Sequence, residues 1–142
     1  MPTPNNPLRD KADVFLAMIK EHKKIDLDYS LFSLLYIDTV LEEMFGKRME
    51  RISDPKLENF RLEVTKQLGC FFGECIRETF SGEWKNDPKT GLSLTRIGNQ
   101  EVTAFPMATA SDRMAGEEGK IFAVTMAITR EVFKQVGEKV YP

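Results

Sequence analysis

The chain has 142 residues, with 20 Lys or Arg against 22 Asp or Glu, a formal net charge of −2, and 42% hydrophobic residues. That length suits one domain, 1–142, able to bury roughly two thirds of its unfolded surface without disulfide or metal staples. The near balance of charge excludes the global positive field that draws in nucleic acid, and ten Phe with seven Met exclude a disordered chain.

The first seven residues, Met1-Pro2-Thr3-Pro4-Asn5-Asn6-Pro7, read as a flexible arm. They lack the basic and apolar regions of a secretory leader. Val14, Phe15, Met18 and Ile19 then recur at helical spacing from about Leu8 to Lys24, with Lys20, His22, Lys23 and Lys24 at the end that the helix dipole makes negative. Ile25 to Tyr29 alternates apolar and acidic residues and reads as an extended link to Ser30, an N-cap for a second helix from about Leu31 to Phe45 that stops at Gly46. Asp54 and Pro55 have the chemistry to start a third helix, which runs to about Phe80 and breaks at Ser81-Gly82.

Helix three carries the densest signal. Leu57, Phe60, Val64, Leu68, Phe71, Phe72 and Cys75 fall on one stripe, and Leu62, Gly69, Gly73, Ile76 and Phe80 on an adjoining one. So wide an apolar arc predicts contact on two sides, and therefore a central position in the core. Gly69 and Gly73 each cost roughly 1 kcal/mol relative to alanine in a helix unless a neighbour needs the space. Their Gly-x-x-x-Gly spacing also occurs in membrane helix dimers, a context that Glu63, Lys66, Glu74 and Arg77 exclude.

Beyond Gly82 the periodicity changes. Glu83-Trp84-Lys85, Leu92 to Ile97 and Gln100 to Phe105 read as three short strands, the first two joined through Asn86–Gly91 and the last two by a Gly98-Asn99 hairpin turn. Pro106 opens a short helix through Met114, ended by Gly116, and a final helix from about Glu118 to Gln135 turns Ile121, Val124, Ile128, Val132 and Val136 to the core.

Few polar positions suggest chemistry. Asp38 lies within the apolar stripe of helix two, between Leu34, Leu41 and Phe45. A carboxylate there either has a raised pKa, as general acids do, or is anchored by an arginine or by backbone donors. Glu74 and Arg77 are spaced i, i+3 on the polar side of helix three and can pair on the surface; alternatively, Glu74 projects toward Trp84 and lines a cleft between helix and sheet as a ligand acceptor or base. Trp84, the lone tryptophan, reads as a lid between helix three and the sheet with its indole N–H seeking an acceptor, or as a stacking platform for a ligand.

His22 is the single histidine, so neither a multi-His metal site nor two-His acid–base chemistry is available. Cys70 and Cys75, five apart on one helix, would hold their Cα atoms about 8 Å apart, too far for a disulfide, and read as buried free thiols. No cofactor or metal is expected, and no catalytic residue is assigned. With no apolar run long enough to span a bilayer, a cytoplasmic protein is expected.

Leu68, Gly69, Phe71, Gly73, Glu74, Arg77, Gly82 and Trp84 resemble the L-G-x-Y-x-G-E-x-x-R and G-G-x-W segments of a family of uncharacterised bacterial proteins, a domain of unknown function. Asp28, Ser30, Ser33, Leu34 and Asp38, with Phe105-Pro106 and Arg113 downstream, extend the resemblance over about residues 25 to 125. Phe71 stands where that family has Tyr, Ser81 where it has the first Gly, and Ile37 where leucine is usual. The resemblance implies no activity.

The expected architecture is α+β: three N-terminal helices, a small antiparallel three-stranded sheet and a C-terminal helix. The expected function is a non-catalytic protein-binding module of the adaptor or toxin-neutralising kind, with another protein as partner and neither nucleic acid nor membrane. The other reading is a small-molecule binder or hydrolase with a cleft between helix three and the sheet, using Glu74, Arg77, Asp38 and Trp84.

Overall fold

The computed structural model describes residues 6–46, 55–89 and 91–140. The segment 1–5 of the expected arm, the expected cap Asp54, and Thr90 lie outside them. Asn6 caps α1 (Pro7–Lys23): its side chain accepts from the amides of Leu8 and Arg9, and Pro7 takes the first turn, where a missing N–H costs nothing. Lys24, in the left-handed region at φ 57°, ends the helix. Phe15 and Ile19 are buried, whereas Val14 faces solvent.

The link to α2 (Leu31–Met44) is held by its own polar side chains. Ser30 accepts from the Ser33 amide, Asp28 accepts from the Ser30 amide and the Ser33 hydroxyl, and that hydroxyl accepts from the Asp28 amide.

The long helix α3 (Pro55–Phe80) has two unlike halves. Leu57, Phe60 and Leu62 near its start are about half exposed, while every residue from Leu68 to Ile76 is buried. Such a run exceeds any two-sided stripe, so this half is enclosed all round. It packs against α1, against α2, and against α4 (Pro106–Met114). Gly69 and Gly73 make the enclosure possible: a methyl on Gly69 would strike Met107 of α4, and one on Gly73 would strike the Trp84 ring and Pro106.

The sheet corrects the sequence reading. It has two antiparallel strands, β1 (Glu83–Asp87) and β2 (Gly91–Thr95), with Trp84 opposite Leu94. Gln100 to Phe105 does not form a third strand. Arg96, Gly98 and Asn99 all adopt positive φ and wind the chain into a 3-10 turn at Ile97–Asn99, not a two-residue hairpin. The returning segment reaches β2 at a single bridge, Leu94 to Ala104, and Pro106 then opens α4, which lets pairing go no further. Five α-helices occur among the described residues rather than three plus one, since two follow the sheet: α4 and α5 (Lys120–Val140). The last helix runs past the expected end at Gln135, and Val136, expected in the core, is exposed. The α+β class itself holds.

Candidate functional site

Glu74 lies on α3 with no exposed surface. The spacing to Arg77 suggested a solvated pair, but β1 and the start of α1 close over that side of the helix. Arg77 donates from Nε to Oε2 at 2.7 Å and from Nη2 to Oε1 at 3.0 Å. Trp84 Nε1 donates to Oε2 at 2.9 Å, and Asn6 Nδ2 to Oε1 at 3.2 Å. Arg9 reaches the same oxygen more loosely at 3.5 Å, its closer partner being Glu78 at 2.8 Å.

Burial works to raise the Glu74 carboxyl pKa, but the hydrogen bonds from Arg77 and Trp84, with the charges of Arg77 and Arg9, outweigh it and hold the group below its ordinary value. Glu74 is therefore an ionised acceptor whose lone pairs are already engaged. It has no proton to donate and little basicity to offer; its work is to fix Arg77, Trp84 and the capping residue of α1.

What these partners line is an open cleft of about 1220 Å3 between α1, the end of α3 and the β1–β2 sheet, with Leu8, Arg9, Asp13, Arg77, Glu78 and Trp84 on its walls. Arg9 lies 3.5 Å above the centre of the Tyr29 ring, a stacked cation–π contact, and the Tyr29 hydroxyl donates to Asp13. Burial first, then the bond to Asp13, push the Tyr29 phenol well above its ordinary pKa. The cleft thus carries both signs of charge around one half-buried indole.

Asp38 belongs to a different place. Arg113, only 6% exposed at the end of α4, donates from Nε to Asp38 Oδ1 at 2.7 Å and from Nη2 to the Asp38 carbonyl at 3.3 Å. The other carboxylate oxygen accepts the Phe122 amide at 2.8 Å. Phe122 lies in the first turn of α5, whose preceding residue is Gly119, so Asp38 reaches from α2 to cap a helix that has no capping side chain of its own. Glu42 completes the group by accepting from Arg113 Nη2 at 3.3 Å. Arginine and backbone donor are both present, and Asp38 bonds to none of the Glu74 partners.

Cys70 and Cys75 are free and buried. Burial pushes the Cys70 thiol up to about 11 and raises that of Cys75 further, the opposite of an activated nucleophile. His22 is exposed on the last turn of α1. No cluster of three or more metal-ligating side chains occurs among the described residues, and none of the helices there is long and apolar enough to cross a membrane.

Asn6, Arg9, Asp13 and Tyr29 were not singled out from sequence. Arg9 and Asp13 are i, i+4 on α1, a pattern that marks an exposed pair; nothing local shows that α1 lays them beside Tyr29 and Glu74. No family model, curated protein or solved structure matches the chain.

Proposed function

We propose that this is a cytoplasmic, non-catalytic protein-binding module of the adaptor or toxin-neutralising kind. The observation that carries the reading is the apolar surface left open by α2 and α5. On α5, Phe122, Met126, Thr129, Phe133, Val136 and Val140 recur at alternating spacings of four and three; Phe133 is 66% exposed, and Phe122 and Val140 about half exposed or more. On α2, Phe32 is 81% exposed and shares a face with Leu35 and Tyr36. The two helices pack together. Large exposed apolar side chains at such spacing are the anchors by which one helix receives another.

The chemistry of Glu74 supports the same reading, because a saturated, ionised carboxylate does not serve as a general acid. Capture with the native chain from its own cell lysate is expected to return a partner at stoichiometric yield, and Phe133→Asp, on an exposed turn, to lose it while circular dichroism stays unchanged. Return of no partner, or equal capture by the variant, overturns the reading.

A second reading rests on the cleft beside Trp84 and Arg77, which is large enough for a small ligand. Asp38 takes no part in it. We further propose kinship with the uncharacterised bacterial family that the Glu74, Arg77 and Trp84 motif resembles.

A further inference from the structure

The buried stripe of α5, Ile121, Thr125, Ile128 and Val132, separates two flanks. At about 100° per residue, Phe122 and Phe133 lie on one, and Lys120, Val124, Ala127 and Glu131 on the other. That second flank faces α4 and the segment Glu101–Phe105 across a groove of about 530 Å3. Ala108, Val124, Ala127 and Ile128 give it an apolar lining, with Glu101, Asp112 and Glu131 beside them. Lys120, the basic residue of the lining, is already paired with Asp112 at 3.5 Å and Glu117 at 3.1 Å. The groove is net acidic.

One wall is the extended segment Glu101–Phe105, bridged to β2 at Ala104 and open along its other side. Ala104 exchanges both backbone hydrogen bonds with Leu94, and the Val102 carbonyl accepts from the Ile97 amide. Alternation along an extended chain sends the backbone groups of Glu101 and Thr103 the other way. At Glu101 the Gln135 side-chain amide takes both, accepting from the N–H at 2.8 Å and donating to the carbonyl at 3.1 Å, as a neighbouring strand would. At Thr103, which lines the groove, neither the N–H nor the carbonyl has a partner among the described residues.

We propose that this groove receives an extended segment of a partner protein, which adds as a strand to the Thr103 edge, seats small aliphatic side chains against Ala108 and Ala127, and sets Lys or Arg against Glu101, Asp112 and Glu131. The site uses the flank of α5 opposite Phe133 and does not depend on the α2 and α5 face.

The test is nuclear magnetic resonance titration of the isotope-labelled full chain with end-capped Lys-X-Thr-X-Lys peptides in which X is Ala, Val or Leu. Saturable shifts at Thr103, Phe105 and Ala127 are expected, with slowed hydrogen exchange at the Thr103 amide. N-methylation of the central peptide residue, which removes its donor, and replacement of both Lys by Glu are each expected to weaken binding about tenfold or more. Ala127→Lys, at an exposed position, is expected to abolish binding with unchanged circular dichroism, while Phe133→Asp leaves it intact. Absence of shifts, or equal binding of the N-methylated peptide, overturns the proposal. So does appearance of the same shifts without peptide as protein concentration rises, which would make the edge a contact between copies of this chain.

Discussion

Glu74 and Asp38 are helical carboxylates drawn into the packed interior, and each is held by an arginine and by at least one further donor, yet they do different work. Glu74 is wholly enclosed and ties α1, α3 and β1 together through side chains alone. Asp38 sits at a rim, and half of its capacity goes to a backbone amide at the start of α5. The first is a buried charge whose removal strands Arg77 and the Trp84 indole. The second substitutes for a missing helix cap, a task a neutral acceptor can share. A carboxylate enclosed by helix packing therefore does not by itself indicate catalysis; its donors decide what it does.

The largest test of this contrast is Glu74→Ala, expected to lower stability by about 3 kcal/mol in urea unfolding, since one partner of a buried, hydrogen-bonded charge pair is lost. The pH dependence carries the same signature. Because the folded-state pKa of Glu74 lies below the ordinary 4.5, its stabilisation is fully present above that value and is lost as pH falls through the folded value. The wild-type chain is expected to lose stability in acid more steeply than Glu74→Gln, and parallel acid-unfolding curves would contradict the assignment.

A smaller effect separates packing from charge at the same place. Gly73→Ala should gain somewhat in helix propensity, but its methyl meets the Trp84 ring, so a net loss of about 2 kcal/mol is expected, with a shifted tryptophan emission that Glu74→Gln shares only if the indole moves. Least costly should be Asp38→Asn, about 1 kcal/mol, because the amide oxygen can still cap α5 and Glu42 still meets Arg113. Asp38→Ala should cost more than Asp38→Asn, and equal losses would mean that the cap at Phe122 contributes nothing.

Much of the helical framework was legible because its signals are local. Ser30 as a cap, Pro55 and Pro106 in first turns, and the breaks after Phe80 and Met114 all follow from side chains acting within a few residues. The third strand failed for an equally physical reason: Gly98-Asn99 suits a hairpin in isolation, but Arg96 also takes the left-handed conformation, and the returning segment meets β2 only at Ala104 before Pro106 opens α4. The site was legible only in part. Glu74, Arg77 and Trp84 do meet, whereas Asp38 meets Arg113 and α5 some distance along the chain.

By itself the sequence determined where α1 to α4 begin and end, that α3 needs close neighbours at Gly69 and Gly73, and that both cysteines stay free, since all of these rest on backbone propensity, periodicity and short spacings; the end of α5 at Val140 escaped it. Only the tertiary structure decided which side of α3 is wet. Glu74 sits on the polar side of an isolated helix, and it becomes a buried anchor because α1 and β1, distant in sequence, bring Asn6, Arg9 and Trp84 over it. The Thr103 edge is likewise a tertiary product, left open where Gln135 of α5 satisfies Glu101 and reaches no further.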